Sequence, residues 1–288
     1  MVILFLGGFC YFWICMENWR LIRDLKASGA ENMAIDEALL YALSTNKAWD
    51  VSPVLRLYQW SEPTLSIGAF QSVEPFKELA LPIVRRMTGG RAVLHQMELT
   101  YSVICNASSK VFSSGLLSAY ASISEVLKLA LSKAGLESKT SEARKKSEEK
   151  SPTSCFNAPV KYELLVGERK LVGSAQRRFK DVFLQHGSVL FSLDSTLIDK
   201  TFGKGASDGM ACVSEFSDIT ISEFSRLFLQ EFEKNMTVTF TEDVLTPKES
   251  EVRELLIRKK YQNRDWTYKG GRGFLVRDLI ECSQSLTA

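Results

Sequence analysis

Apolar residues recur at helical spacing in some stretches of the chain and form short strand-like runs in others. Ile35, Leu39 and Leu43 lie on one face of a helix predicted to begin near Glu31. Residues 53–60 and 64–70 read as strands, separated by a short turn that contains a proline. Residues 82–87 and 99–104 read as two further strands, with a loop around Gly89 and Gly90 between them.

The second half of the chain alternates in the same way between helices and grouped strands. A long helix is predicted over Leu116–Lys133 and ends at Gly135. Residues 136–151 are polar and predict a loop, and three strands follow at 160–167, 170–178 and 182–191, the first two joined by a tight turn. Thr220 and Thr246 each start a helix. Strands in adjacent groups favour an α+β fold with a mixed, largely antiparallel sheet and packed helices.

Composition narrows the class of protein. The net charge of +2 is too small to indicate a nucleic-acid-binding surface. Six cysteines without regular spacing and only two histidines argue against a disulfide framework and a zinc site, so we expect a reducing, cytoplasmic setting and no metal.

The start of the chain is unusual because residues 2–16 carry no charge. A signal peptide would begin with a basic segment, and a membrane-spanning helix needs about 20 apolar residues. Three interpretations remain: translation that truly starts at Met16, a weak membrane anchor, or an added buried segment.

The residues around the paired glycines are the first candidates for chemistry. Gly89 and Gly90 let a backbone approach a ligand closely, and their N–H groups can face an oxyanion or a carbonyl. Arg86 and Arg91 add positive charge nearby, and Thr88 and His95 belong to the same stretch. The alternative is an ordinary glycine turn with arginines in solvent. No P-loop is present, because no GK[ST] follows the glycines.

Cys155 and Lys170 are the second set of candidates. Cys155 lies between two prolines in an irregular segment, and a loop cysteine near a cation can ionise and act as a nucleophile. Lys170 shares one predicted strand face with Val172 and Ser174, and a lysine there can lower the pKa of a neighbouring thiol. The alternatives are an inert packed cysteine and a solvent-facing lysine. His186, beside a glycine, is expected to be a hydrogen-bonded structural histidine or a site contact.

Taken together and in order, several stretches resemble the lipoate-protein ligase A and octanoyltransferase family. They are residues 31–40, 64–71, 84–95, 98–103, 155–159, 161–164, 169–178 and 184–188. The stretch 84–95 reads VRRMTGGRAVLH and is followed by ELTYS, which is similar to the octanoyltransferase branch rather than to the ATP-dependent ligases. Two positions depart from the family pattern: Gln96, where an acidic residue is common, and 160-VKYEL-164, where SWYEL is common.

The resemblance implies the biotin/lipoate ligase catalytic fold over residues 16–245, after an apolar extension at 1–15 and before a C-terminal helix and tail at 246–288. It implies octanoyl transfer from octanoyl-acyl carrier protein to a lysine of a lipoyl domain, such as the glycine cleavage H protein. Cys155 would be the acylated nucleophile and Lys170 the lysine that lowers its pKa. Substrate contacts are implied for Arg86, Thr88, Gly89, Gly90, Arg91, His95, Gly173, Ser174, Ala175 and His186.

Neither ATP nor a metal is expected in this reaction, because the incoming thioester is already activated, and a monomer is the default expectation. The alternatives are an ATP-dependent lipoate or octanoate ligase of the same fold, a non-catalytic relative that only binds lipoyl proteins, and a branch that takes the acyl group from an acylated H protein.

Overall fold

A computed structural model describes residues 5–6, 9–10, 16–45, 52–107, 109–112, 116–141, 163–270, 276 and 279. Cys155 and the predicted strand start at 160–162 lie outside these residues, as does most of the apolar segment 1–15. Within that segment, β1 (Phe5–Leu6) pairs with β2 (Phe9–Cys10) as a short antiparallel ladder.

The described strands beyond β2 form a large sheet and a small sheet. The large sheet has eight strands in the order β13-β3-β4-β8-β12-β11-β10-β9. Their bounds are β3 Glu17–Ala27, β4 Val54–Trp60, β8 Met97–Asn106, β9 Lys139–Thr140, β10 Leu164–Val166, β11 Arg169–Phe179, β12 Val182–Ser192 and β13 Val238–Asp243. The β13–β3 and β3–β4 pairs are parallel and the other five are antiparallel, which confirms the predicted mixed, largely antiparallel sheet.

The small sheet has three strands in the order β6-β5-β7, with β5 at Thr64–Ile67, β6 at Ile83–Arg85 and β7 at Val93–His95. The sequence predicted one loop between the strands at 82–87 and 99–104, and this was wrong in one respect. Residues 93–95 form a strand of their own, which pairs antiparallel with β5. This strand carries His95 back towards the large sheet.

Six α-helices pack on the sheets within the described residues: α1 Gly29–Ser44, α2 Leu116–Lys133, α3 Ser195–Phe202, α4 Ile221–Met236, α5 Pro247–Leu256 and α6 Arg264–Lys269. The predicted bounds of α2 are confirmed, and so are the helix starts at Thr220 and Thr246. The first helix begins two residues before the predicted start, because Ser28 and Glu31 form a reciprocal capping box that satisfies its first N–H groups.

The main core lies between the large sheet and helices α2 and α4. Aromatic rings dominate it: Phe228 and Phe232 of α4 pack edge-on, and Trp19 of β3 contacts both Phe232 and Phe112. A second apolar cluster joins α1 to the sheet through Ile22, Leu39 and Leu184, among others. Rigid packing on both faces fixes the strand positions, and hence the side chains that those strands present to the site.

Several charged side chains are also buried, and many of them pair with an opposite charge. The guanidinium of Arg20 in β3 donates to Glu249 of α5 at 2.6 Å, and it also pairs with Asp243 of β13. These contacts connect β3 to residues that lie more than two hundred positions later in the sequence. Among the described residues, no helix is both long enough and apolar enough to cross a membrane.

Candidate functional site

A cavity opens between the small sheet and the large sheet, and the empty space around it, counted together with the solvent at its mouth, is about 390 Å³. Helix α1, the small sheet and four strands of the large sheet all contribute to its wall. The residues that line it are Met33, Tyr58, Trp60, Ser66, Arg86, Val93, His95, Thr100, Gly173, Ser174, Ala175, His186, Gly187 and Ser188. The cavity therefore brings together six of the predicted substrate contacts: Arg86, His95, Gly173, Ser174, Ala175 and His186.

Arg86 holds the glycine loop in place from inside the protein. One guanidinium nitrogen, Nη2, donates to the carbonyls of Gly89 at 2.9 Å and Arg91 at 2.7 Å. The other, Nη1, donates to the carbonyl and to the hydroxyl of Ser66, each at 3.1 Å. A buried guanidinium that makes four hydrogen bonds is a fixed positive group, and here it forms part of the cavity wall.

The conformation of the glycine loop requires glycine at position 90, within the loop, and at position 68, in the backbone against which the loop packs. Gly90 has φ of 92°, a left-handed conformation that other residues adopt only under strain. A Cβ on Gly68, at the end of β5, would lie 2.0 Å from the carbonyl oxygen of Gly90. The loop containing Thr88, Gly89 and Gly90 therefore rests directly on the backbone of the small sheet.

His95 is enclosed by three specific contacts. Its Nε2 lies 2.7 Å from Oγ of Ser66, and its Nδ1 lies 2.7 Å from Oε1 of Glu98. The imidazole also stacks on the indole of Trp60, with ring centres 3.7 Å apart and planes 10° from parallel. The ring is thus fixed in both position and orientation at the cavity wall.

Glu98 is fully buried and ionised. Burial alone would raise the pKa of its carboxyl group, but the neighbouring His95 and the hydrogen bonds from His95, Ser188 and Thr100 outweigh burial and lower it. The two hydroxyls donate to Oε1 at 2.6 and 2.7 Å.

His186, on β12 of the large sheet, has a similar set of contacts. Its Nε2 lies 2.7 Å from Oγ1 of Thr88, and its Nδ1 lies 3.2 Å from Oδ2 of Asp36. Asp36 also pairs with Arg56 at 2.8 Å, and Arg56 in turn contacts Asp24. Burial lowers the pKa of His186, and the opposing effect of Asp36 is smaller, so the imidazole is neutral near neutral pH. Thr88 does not line the cavity itself, but this hydrogen bond connects it to His186, which does.

The segment 173–175 of β11 supplies the opposite wall. Ser174 hydrogen-bonds through Oγ to the hydroxyl of Tyr101 at 2.8 Å, and its carbonyl accepts from Tyr120 at 3.0 Å. Gly187 lies across the sheet from Ser174, and a Cβ there would approach Oγ of Ser174 to 2.5 Å. Glycine at 187 therefore keeps this wall close-packed.

Lys170 lies on the same strand, three residues before Gly173, and is only 1% exposed. Its Nζ lies 2.5 Å from Oε1 of Glu163, which is equally buried. The prediction of a lysine in a partly apolar environment agrees with this placement. Lys170 does not line the cavity as the described residues form it. Cys155, the predicted partner of Lys170, lies outside the described residues, so no distance joins the two.

The two cysteines with described environments are poor nucleophiles. Cys105 is buried in β8, and burial raises the pKa of its thiol to about 12. Burial also raises the pKa of Cys212. A thiol in its protonated form reacts slowly, so neither residue competes with Cys155 as a candidate. Among the residues that the structure describes, no cluster of His, Cys, Asp and Glu could hold a metal ion.

Sequence reasoning missed several polar side chains of this site: Asp36, Trp60, Ser66, Glu98 and Glu163. Asp36 and Glu98 lie in amphipathic or alternating segments, where acidic residues are usually solvent-exposed. Only the pairing of distant strands shows that they meet the two histidines. The available signal was the scarcity of histidine itself: of only two, His95 follows the paired glycines between two predicted strands, and His186 lies within a third predicted strand.

Comparison with known proteins agrees with this geometry. The family model of the lipoyl protein ligase A/B catalytic domain matches residues 28–233. Octanoyltransferase LipM of Carboxydothermus hydrogenoformans is 38% identical over 276 residues, which cover 88% of this chain and 100% of that protein. Octanoyltransferase LipM of Bacillus subtilis is 36% identical over 277 residues, with 88% and 99% covered.

Among solved structures, the bipartite lipoate protein ligase of Thermoplasma acidophilum, reported with its E2 lipoyl domain, superposes with a TM-score of 0.70 at 24% identity. The alignment covers 89% of this chain and 98% of that one, and at this identity it establishes the fold. The predicted family and fold are confirmed, and the predicted enzyme class is that of the curated relatives. The chain belongs to the lipoyl protein ligase A/B catalytic domain family.

Proposed function

We propose that the chain is an acyltransferase that moves an octanoyl group onto a lysine of a lipoyl domain in protein lipoylation. Identity of 36–38% to curated octanoyltransferases, over nearly their whole length, supports this activity. The single observation in the structure that carries it is the cavity between the sheets, which combines apolar walls with a few fixed polar groups.

The cavity is suited to an acyl chain with a reactive head. Met33, Tyr58, Trp60 and Val93 provide apolar surface, and burial of each CH₂ group contributes about 0.8 kcal/mol. Arg86 and the backbone of 173–175 lie in the same cavity wall, where we place the carbonyl of the acyl group. The preference for octanoyl over shorter acyl groups is therefore the sum of small contributions to the binding free energy, one from each CH₂ group.

In the proposed mechanism, Cys155 is the nucleophile. Its thiolate attacks the thioester carbonyl of octanoyl-acyl carrier protein, and the bond from the carbonyl carbon to the carrier sulfur breaks. The carrier leaves as a thiolate, which takes a proton from water, and the octanoyl group remains on Cys155. The ε-amine of the lipoyl-domain lysine then attacks this second thioester and forms an amide. Lys170 acts as a buried cation that favours the thiolate. Because the donor is already activated, the reaction proceeds without ATP or a metal.

Glu163 adds a constraint to the role of Lys170. The ion pair between them fixes the ammonium on strand β11, at the point where the chain returns from the segment that contains Cys155. A lysine side chain fixed in this way can stabilise a neighbouring thiolate. The first transfer step is therefore assigned to Cys155 and Lys170.

The test is mass spectrometry of the protein after mixing with octanoyl-acyl carrier protein in the absence of ATP. We expect an octanoyl adduct on the peptide that contains Cys155, and no adduct in Cys155→Ala. Cys212→Ala is the matched control and should keep the adduct, because burial raises the pKa of that thiol and so disfavours its thiolate. Addition of an apo lipoyl domain, such as the glycine cleavage H protein, should discharge the adduct and form octanoyl-lysine.

Each alternative gives a different result in the same assay. Activity that requires ATP and free octanoate and survives Cys155→Ala would identify a ligase. Tight binding of the lipoyl domain without an adduct would identify a non-catalytic relative. Faster adduct formation from an octanoylated H protein than from the acyl carrier protein would change the donor and leave the chemistry intact.

A further inference from the structure

The turn at residues 68–71, directly after β5, carries an exposed aromatic side chain. The N–H of Gln71 donates to the carbonyl of Gly68 at 3.0 Å, and Oε1 of Gln71 accepts from the N–H of Gly68 at 3.3 Å. These contacts close a four-residue turn with Ala69 and Phe70 at its corner positions. Phe70 is 95% exposed, although the corner of a turn is usually occupied by a small or polar residue.

Arg85 fixes this turn from the protein interior. It is buried, and its guanidinium donates to three of the four carbonyls of the turn, at distances from 2.7 to 3.3 Å. The same guanidinium donates to the carbonyl of Thr267 in α6 at 2.8 Å. A turn held in this way presents Phe70 in one position, so little conformational entropy would be lost when a partner covers that ring.

A second aromatic residue, Tyr268, lies next to this turn. The carbonyls of Ala69 and Thr267 accept from one guanidinium, that of Arg85. Each of these two carbonyls belongs to the residue directly before an aromatic residue, Phe70 in one case and Tyr268 in the other. Tyr268 is itself 37% exposed. The two rings therefore belong to adjacent stretches of one surface.

Positive charge surrounds Tyr268. The guanidinium of Arg264 lies over the tyrosine ring, 5.1 Å from the ring centre, and no carboxylate within the described part of the chain pairs with it. Lys269 is 75% exposed and pairs with Asp265. Residues 257–270 contain five basic residues, four of them exposed, against this one acidic residue. Such a surplus of positive charge attracts a partner with an acidic surface.

We propose that Phe70, Arg264, Tyr268 and Lys269, here called the aromatic–basic face, form the docking surface for the acyl donor, octanoyl-acyl carrier protein. This inference rests on the proposed function, which supplies the donor, and it names the surface that receives the protein part of that donor. The two rings pack against an apolar patch of the carrier, and the two basic side chains pair with its acidic groups. Tyrosine and arginine are among the residues that most often dominate the binding energy of an interface.

The position of the face favours the donor over the acceptor. Arg85 and Arg86 are consecutive, and Arg86 lines the cavity whereas Arg85 reaches the turn and α6. Because consecutive side chains of an extended segment point to opposite sides, the small sheet separates the face from the cavity. The acyl group of a carrier protein is borne on a long flexible arm, which can reach around the sheet. The acceptor amine is at the end of a short lysine side chain, so its domain has to lie at the cavity mouth.

The experiment compares a donor with and without its carrier protein. Formation of the acyl-enzyme is followed by mass spectrometry with octanoyl-acyl carrier protein and, separately, with octanoyl-pantetheine, which has the same thioester and no protein. Phe70→Ser should lower kcat/KM for the carrier-bound donor about tenfold. Arg264→Glu should lower it as well, by a factor that shrinks at high salt because salt screens exposed charges. Both variants should react with octanoyl-pantetheine at the rate of the unmodified protein.

Binding of the carrier protein without its acyl group gives a second readout that needs no reaction. Titration calorimetry with the holo-acyl carrier protein should give a higher Kd for Phe70→Ser and for Arg264→Glu than for the unmodified protein. Val244→Ser and Arg226→Glu are the matched controls. Val244 is 74% exposed between β13 and α5, and Arg226 is an exposed arginine of α4. Both controls should behave as the unmodified protein in both measurements.

Three results would overturn the docking face alone. The first is normal kcat/KM and normal carrier binding in both variants. The second is an equal loss with octanoyl-pantetheine, which would show that the turn acts on the cavity. The third is a loss that appears only with the apo H protein, which would place the acceptor on this face. Absence of an octanoyl adduct in the unmodified protein with either donor would overturn the proposed function instead, and the calorimetry would still test the face.

Discussion

The ammonium of Lys170 lies 2.5 Å from the carboxylate of Glu163, and the two side chains are 1% and 0% exposed. Both groups have lost their hydration on folding, and the attraction between them compensates part of that loss. The pair joins β11 to the residue just before β10, next to the segment that carries Cys155. Its integrity therefore affects both the folded state and the chemistry assigned to Lys170.

Removing one member of this pair should be costly. Lys170→Ala should lower the free energy of unfolding by about 3–5 kcal/mol, because the Glu163 carboxylate then stays buried without its cation. The double change Lys170→Met with Glu163→Gln should recover a large part of the loss, since no charge is left behind. Urea unfolding of the three proteins measures this. A double variant that is less stable than Lys170→Ala would contradict the buried-charge explanation.

The same lysine should control the reactivity of Cys155. With the cation removed, the thiolate is less favoured, so the rate of iodoacetamide alkylation at Cys155 should rise at higher pH in Lys170→Ala than in the unmodified protein. Peptide mass spectrometry follows that residue alone. Lys269→Ala is the control, because Lys269 is 75% exposed and pairs with Asp265 on the surface. An identical profile in Lys170→Ala would remove the proposed role of this residue.

The neutral state of His186 gives the protein a dependence of stability on pH. Burial lowers the pKa of His186 below 6.5, so, as the pH falls through that value, the unfolded chain takes up a proton that the folded protein does not. Protonation then favours the unfolded state, and the free energy of unfolding falls by up to about 1.4 kcal/mol per pH unit from this residue.

His186→Gln lacks this titration. The difference in stability between the unmodified protein and the variant should therefore shrink as the pH is lowered from about 7.5 to about 5. Urea unfolding at a series of pH values gives the comparison. A difference that stays constant across this range would show that His186 titrates alike in both states.

The contact between Gly68 and Gly90 predicts a steric effect on the glycine loop. In Gly68→Ala the new methyl group would meet the carbonyl oxygen of Gly90 at 2.0 Å, and a backbone atom cannot move aside cheaply. We expect a loss of stability of about 1–3 kcal/mol and slower acylation, because the loop is displaced. Gly89→Ala serves as the stability control, since no heavy atom lies within 4 Å of its Cβ position. Equal melting temperatures for Gly68→Ala and Gly89→Ala would contradict the predicted clash with the carbonyl oxygen of Gly90.

Periodicity was enough to predict the elements whose pattern is local. The bounds of α2 follow from the spacing of Ile123 and Leu127, and the starts of α4 and α5 follow from capping residues that act within four positions. The motif residues were likewise predicted as one site, because they resemble a family in register. Six of them do line one cavity.

Elements stabilised by distant partners were not predicted. Strand β3 contains Arg20, Arg23 and Asp24, which interrupt an apolar pattern, yet Arg20 is buried through its contact with Glu249. Strand β7 has three residues and exists because it pairs with β5. Asp36 and Glu98 read as surface acids until the sheet brings histidines to them. In each case the deciding interaction joins residues that no local window contains.

The parallel pairing of β13, β3 and β4 limits how far the chain can be shortened. The family match covers residues 28–233, whereas β3 ends at Ala27 and β13 begins at Val238. A fragment cut to the matched residues would lack both strands and would leave the edge of β4 with unpaired N–H and C=O groups. Such an edge recruits strands from other molecules, so the fragment should aggregate where the full chain does not.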